Sequence, residues 1–309
     1  MDPTEKIKAV AERARRQLQE RRAQAANVQD QPQPTPSSEP PNKALVIPFP
    51  DSWAEALRAC PLTILRSALF GVVQRGRRRH LNEVEIAAWK GMSIRYKGDQ
   101  LDQADLDVWM QAVHLFRQCG LGERLHISAH SFLKAIGRST GNLNHQWLQK
   151  SFTRMIACAV KIDAGQYRYA GNLVHEFWLD KKTGHYVLSI NPLLAALFAD
   201  GYSQIEWAQR QALGSKDLAK WLLGYISTHH TTVLNPHRIG LEKLQRLCGS
   251  DAPEKEFKRK VKRYMDELKN LGAIAAWRFA GVDDNTLEFV KPPKRKPRRV
   301  KKSSNQGTV

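Results

Sequence analysis

The chain has 309 residues, of which 42% are hydrophobic, enough for about two domains with filled cores. Its formal charge of +19 makes a polyanion the expected partner, nucleic acid first and an acidic membrane surface second. The start, "MDPTEKIKAV", lacks the apolar core of a signal peptide, and the longest apolar stretch, "LLAALFA" at 193–199, is too short to span a bilayer, so a soluble cytoplasmic protein is expected. Cys60, Cys119, Cys158 and Cys248 form no CxxC pair, which argues against a disulfide framework or zinc ribbon and for small buried hydrophobes.

Residues 1–26 carry a thin apolar stripe of Ile7, Val10, Ala14 and Leu18, too sparse to hold a domain. "DQPQPTPSSEPPN" at 30–42 reads as a linker, so residues 1–44 are an extension and folded structure begins near Leu45. "ADLDVWMQAVHLFRQCG" (104–120) is an amphipathic helix, and "SAHSFLKAIG" (128–137) is a short one with Ser128 as cap and Gly137 as stop. "LNHQWLQKSFTRMIACAV" (143–160) follows, with Leu148, Phe152, Met155, Ile156 and Ala159 as core stripe. His145, Gln146, Gln149, Lys150, Thr153 and Arg154 are left outward, groups that can address base edges and phosphates. "GQYRYAGNLVHEFWLD" and "HYVLSIN" are two strand runs around the turn "KKTG".

A connecting helix is expected near "PLLAALFADGYSQIEWAQRQAL" (192–213). "KDLAKWLLGYISTHH" (216–230) turns Leu218, Trp221, Leu222, Tyr225 and Ile226 inward, and "LEKLQRLCG" (241–249) is a short helix ended by Gly249. The helix of 252–271 packs Phe257, Val261, Tyr264, Leu268 and Leu271 on one face and sets Lys255, Lys258, Arg259, Lys262, Arg263 and Lys269 on the other. Asp251, Pro253 and Glu254 mark its start as a cap and capping box would. "AIAAWRFAG" and "TLEFVK" around "VDDN" read as a hairpin. Helix, helix, basic helix, hairpin is the order of a winged helix-turn-helix, and the first half follows it more loosely. The expected fold is therefore α+β, two tandem winged-helix domains at 45–212 and 213–291, with a basic arm at 292–309. A charged helix face can simply be solvated; beside a second such unit it is a candidate for a DNA groove.

No catalytic pattern emerges. "GRSTGN" at 137–142 has the glycines of a phosphate loop but no lysine, and no histidine pair has the spacing a nicking enzyme needs. His229, His230, His237 and Cys248 match no zinc template, so neither metal nor cofactor is expected. "YRY" at 167–169 can stack on bases or pair across strands. "RGRRRH" places Arg75, Arg77, Arg78 and Arg79 within five residues, a density suited to bidentate phosphate contact. A transcriptional repressor of the same fold shares all these features. A nicking enzyme and a membrane-surface protein fit less well, the latter because the basic tail lacks apolar anchors.

"LRSALFGVV" (65–73), "IRYKGDQLDQADLDVW" (94–109), "INPLLAALFADGYSQIEW" (190–207) and "LEKLQRLCGSD" (241–251) resemble the TrfA family of plasmid replication initiators, in unbroken order over roughly 45–290. The resemblance implies two winged-helix domains that bind repeated origin sites called iterons, opening of an AT-rich segment, and contact with host DnaA and the replicative helicase. It also implies a monomer–dimer equilibrium with the monomer active on DNA. The family can carry a Gln-Leu-x-Leu-Phe motif for the host sliding clamp; this chain reads "KALVIPF" at 43–49 without the glutamine, so clamp contact is not carried over. The charge-dense arm and arginine loop are candidates for single-stranded or flanking DNA.

Overall fold

The structure, a computed structural model, describes residues 49, 53–74, 76–89, 91–164, 167–180 and 185–293. The chain opens with β1 (Leu57–Pro61), α1 (Leu62–Leu65) and β2 (Phe70–Gly71), followed by β3 (His80–Ile86), β4 (Met92–Asp99) and β5 (Leu101–Asp102). Asp102 starts α2 (Gln103–Phe116) with a capping box: its side chain accepts from the backbone of Ala104 and Asp105, and Asp105 reciprocates. Almost every residue of α2 is buried, because helices and strands pack on it from all sides.

After α2 come β6 (Leu125–Ile127), α3 (Ala129–Ala135) and α4 (Asn142–Ala157), then β7 (Ala159–Ala164), β8 (Tyr167–Gly171), β9 (Glu176–Leu179) and β10 (Tyr186–Ser189). Ser128 caps α3 by accepting from Ser131 at 3.4 Å, as its position in the sequence suggests. The chain then forms α5 (Ala195–Ala199), β11 (Tyr202–Glu206) and α6 (Trp207–Ala212). The rest is α7 (Asp217–Ser227), β12 (His237–Gly240), α8 (Leu241–Cys248), α9 (Glu254–Asn270), β13 (Ala276–Ala280) and β14 (Thr286–Val290).

One order recurs. In α7–β14 it is helix, strand, helix, helix, strand, strand, with the last strand central in the sheet β12-β14-β13. In α2–β10 the same order gives the sheet β6-β10-β9, interrupted after α4 by β7 and β8. Those two strands complete an antiparallel sheet β3-β4-β7-β8, while β1 pairs with β11.

Several expectations require correction. "GQYRYAGNLVHEFWLD" is not one hairpin strand: its first part, β8, joins β7, and of this stretch β9 alone pairs with β10. The break lies at Leu173 and Val174, which are fully buried and donate their N–H groups to the carbonyl of Met155. The third helix stops at Ala157 because Cys158 is extended, so Ala159 begins a strand and is exposed rather than in the core stripe. Residues 192–213 form no single helix, since Gly201 at φ 113° reverses the chain into β11. Finally, α9 is opened by Pro253 without a side-chain cap; Asp251 pairs with Arg79 instead. The helix expected at 1–26, the linker, the 43–48 part of "KALVIPF" and the arm from 294 lie outside the described residues.

A buried polar joint ties the two repeats of this order together. Arg210 of α6, 1% exposed in its side chain, donates Nε to Asp107 Oδ1 at 2.6 Å and Nη2 to the Gln103 side chain at 3.0 Å. Lys220 of α7 donates to the other Asp107 oxygen at 2.5 Å. Two cations on one carboxylate, with extra hydrogen bonds to carbonyls of Gln103 and Lys220, satisfy charges that burial would otherwise penalise heavily. Trp221 adds a bond to the Ser67 carbonyl at 3.0 Å, and Arg66 one to the Thr228 hydroxyl at 2.9 Å.

Candidate nucleic-acid interface

α9 buries Phe257, Val261, Tyr264, Met265 and Leu268, the stripe its 3.6-residue period predicts, with Met265 joining and Leu271 only half-buried beyond its end. Opposite them, at steps of four and three, stand the exposed cations Lys255, Arg259 and Lys262. Two further cations are drawn onto the protein. Lys258 lies 5.4 Å from the centre of the Phe279 ring and donates to the Asp283 carbonyl at 2.9 Å. Arg263 stacks on Tyr264 and donates to its hydroxyl at 2.7 Å. Asp266 on the outward stripe accepts from the Trp277 indole at 3.0 Å, which ties α9 to β13.

α4 is braced differently. Leu148, Phe152 and Met155 are fully buried, and Phe152 stacks on Phe177 of β9 with ring centres 4.5 Å apart. Three of the polar residues expected outward are turned to the chain. His145 Nε2 meets the Thr140 carbonyl at 3.1 Å, Gln149 donates to the Tyr186 hydroxyl at 2.7 Å, and Arg154 pairs with Asp105 at 2.5 Å. Gln146 and Lys150 remain exposed and without a hydrogen bond to the described residues.

The arginine loop divides in the same way. Arg75 lies outside the described residues; Arg77 is exposed. Arg78 turns inward, pairing with Asp102 and, at 2.9 Å, with Asp105. Arg79 pairs with Asp251 at 3.3 Å across 61% and 72% exposed side chains, which sets the loop beside the first turn of α9. Asp105, with a fully buried side chain, therefore gathers Arg78, Arg154 and the Ser151 hydroxyl. Burial alone would raise its pKa, but the bonds and charges of Arg154 and Arg78 outweigh that and hold it below the ordinary carboxylate range. Its neighbour Asp102 is pushed up, by burial and by the charge of Asp105.

Elsewhere the side chains serve packing. His229 and His237 lie with ring centres 3.8 Å apart among Trp89, Tyr225 and Phe289. Burial pushes their pKa values down to about 3 and about 4, leaving both neutral. Cys248 is buried in α8, and among the described residues no group of three or more His, Cys, Asp or Glu is placed to hold a metal ion. Tyr169 of "YRY" is buried and bonded to the Asn172 carbonyl. No helix among the described residues is long and apolar enough to cross a membrane.

Among the exposed apolar residues that the sequence did not single out, two lie on these elements: Leu143 in the first turn of α4, 81% exposed, and Trp178 on β9, 47% exposed; Val233 and Leu234, in the loop before β12, are at least as exposed as Leu143. For Leu143 the signal was present, since it falls off the apolar stripe on the side of Gln146 and Lys150.

The model of the family described as TrfA protein matches residues 45–288. The chain belongs to the TrfA family. Among solved structures, this TrfA-family chain is similar to the Pi initiator protein in complex with iteron DNA, at 12% identity and a TM-score of 0.46, over 61% of this chain and 94% of that one. It is also similar to RctB domains 2-3 (residues 155–483), at 10% identity and a TM-score of 0.48, over 72% and 95% of the two chains. No curated protein matches it.

Proposed function

We propose that this chain is a plasmid replication initiator, a DNA-binding rather than catalytic protein, which grips repeated origin sites (iterons) with two winged-helix units, 45–212 and 213–291. α4 and α9 are the groove-entering helices of those units, and the hairpins β9–β10 and β13–β14 are their wings. The observation that carries this is the recurrence of one element order, each time with its third helix turning unpaired polar or cationic side chains to solvent, in a chain of the TrfA family. Lys255, Arg259 and Lys262 supply attraction to phosphates, and Arg77 and Arg79 extend it past the first turn of α9.

Opening an adjacent AT-rich segment costs about 1.4 kcal/mol per base-pair step. Binding energy, DNA bending and host partners, DnaA and the replicative helicase, supply it. Single-stranded origin DNA is a further ligand, and a monomer–dimer equilibrium sets the active fraction.

Fluorescence anisotropy at about 150 mM salt tests the reading, comparing repeats from the origin of the encoding plasmid with a scrambled duplex. Specific sites are typically 10³-fold tighter or more. Equal affinity for both, with the protein monomeric by light scattering, would refute it.

A further inference from the structure

The outward stripe of α4 consists of Leu143, Gln146, Lys150, Thr153 and Ala157, at steps of three and four. It begins apolar, continues with an amide and only then carries a cation. Leu143 exposes nearly its whole isobutyl group, an arrangement that water disfavours and that no neighbouring side chain relieves. Gln146, one turn on, has both its amide oxygen and nitrogen free of hydrogen bonds to the described residues. Residues flanking this leading turn are fixed. Arg138 lies 3.5 Å over the Trp147 ring and donates to Asn144, while Asn144 donates to Ser139 at 2.7 Å and His145 meets the Thr140 carbonyl. Gly141 opens the helix without a side chain, and a Cβ built there would touch nothing.

An aliphatic group and a free primary amide one turn apart, at the leading end of a helix, match a particular ligand surface. The major-groove edge of an A·T pair offers the C5-methyl of thymine to apolar groups, and adenine N6 and N7 to a bidentate amide. Successive base pairs are separated by about 3.4 Å, within the span of one helical turn. Resting on the initiator reading, we propose that Leu143 and Gln146 read adjacent A·T pairs, Leu143 by packing on a thymine methyl and Gln146 by pairing with adenine, with Lys150 on the neighbouring phosphate. α9 carries no equivalent pair, because Lys255, Arg259 and Lys262 are all charged.

The test starts from the full-length chain and a library of randomised 30-base-pair duplexes. Sequences enriched on the protein are resynthesised with single thymines replaced by deoxyuridine, which removes only the methyl group, or single adenines by 7-deazaadenine, which removes N7. Wild-type protein should lose about fourfold in affinity at one deoxyuridine position, the value of one buried methyl. Leu143→Ala should bind the thymine and deoxyuridine duplexes equally, and Gln146→Ala should lose its response to 7-deazaadenine. Because both side chains are exposed, these variants should keep the wild-type melting temperature. Enrichment of a sequence to which the wild type responds at no deoxyuridine position, or Leu143→Ala retaining the full response, would overturn the proposal while leaving the initiator reading intact. A library that yields no enriched sequence would overturn both.

Discussion

α4 and α9 hold the same place in the same order of elements, yet the protein treats their polar side chains in opposite ways. Around α4 the cation Arg154 and the amide Gln149 are consumed by Asp105 and Tyr186, and the free remainder is short and mostly uncharged. Around α9 the apolar stripe does the anchoring, and four cations, Lys255, Arg259, Lys262 and Lys269, are left to solvent. The difference teaches that a count of basic residues measures attraction to DNA, whereas the internal partners of each residue decide which ones remain to touch it. Under the proposed function, α9 is suited to holding the duplex and α4 to inspecting it.

The largest expected effect comes from removing the buried joint between the two repeats. Asp107→Ala leaves Arg210 and Lys220 buried without their carboxylate and should cost about 3–5 kcal/mol of stability, read from urea unfolding. A loss below about 1 kcal/mol would mean that the joint does not hold the halves. Next, Arg259→Ala and Lys262→Ala should weaken matched and scrambled duplexes alike, each lowering the slope of log affinity against log salt by about 0.9 if it removes one phosphate contact. Weakening confined to the matched duplex would make α9 a reader and erase the contrast with α4. Gln149→Ala removes a brace and not a contact, so about 1 kcal/mol of stability should be lost with the salt slope unchanged. The smallest effect is expected at Arg79→Ala. Its exposed pair with Asp251 contributes under about 1 kcal/mol, so any drop in DNA affinity there reports a lost phosphate contact.

Local pattern carried much of this into the sequence. The extent of α9 differs from the expected 252–271 by two residues at its start and one at its end, and its buried stripe follows from periodicity alone. Gly249 in the left-handed region at φ 67° ends α8 where a glycine should. Nonlocal pairing was not legible. β6 and β12, three and four residues long, are too short to show an alternation, although each completes a three-stranded sheet. Strand runs after α4 looked like one wing because nothing in "YRYAG" says that its partner is β7 rather than β10. Arg78 and Arg154 read as free cations for the same reason: their shared carboxylate, Asp105, lies 27 and 49 residues away.

The Asp107 joint also has a consequence for the geometry of the DNA. Under the proposed function, α4 and α9 belong to two units joined through this buried carboxylate, and so would keep a single separation and a single rotational phase. B-DNA repeats in about 10–10.5 base pairs, so adding about five between the two contacted segments would turn one of them to the far side of the duplex. Adding a full turn would restore the facing side but not the distance. On that reading the protein would act as a caliper, and the spacing inside each site would be as much a part of its recognition as the bases themselves.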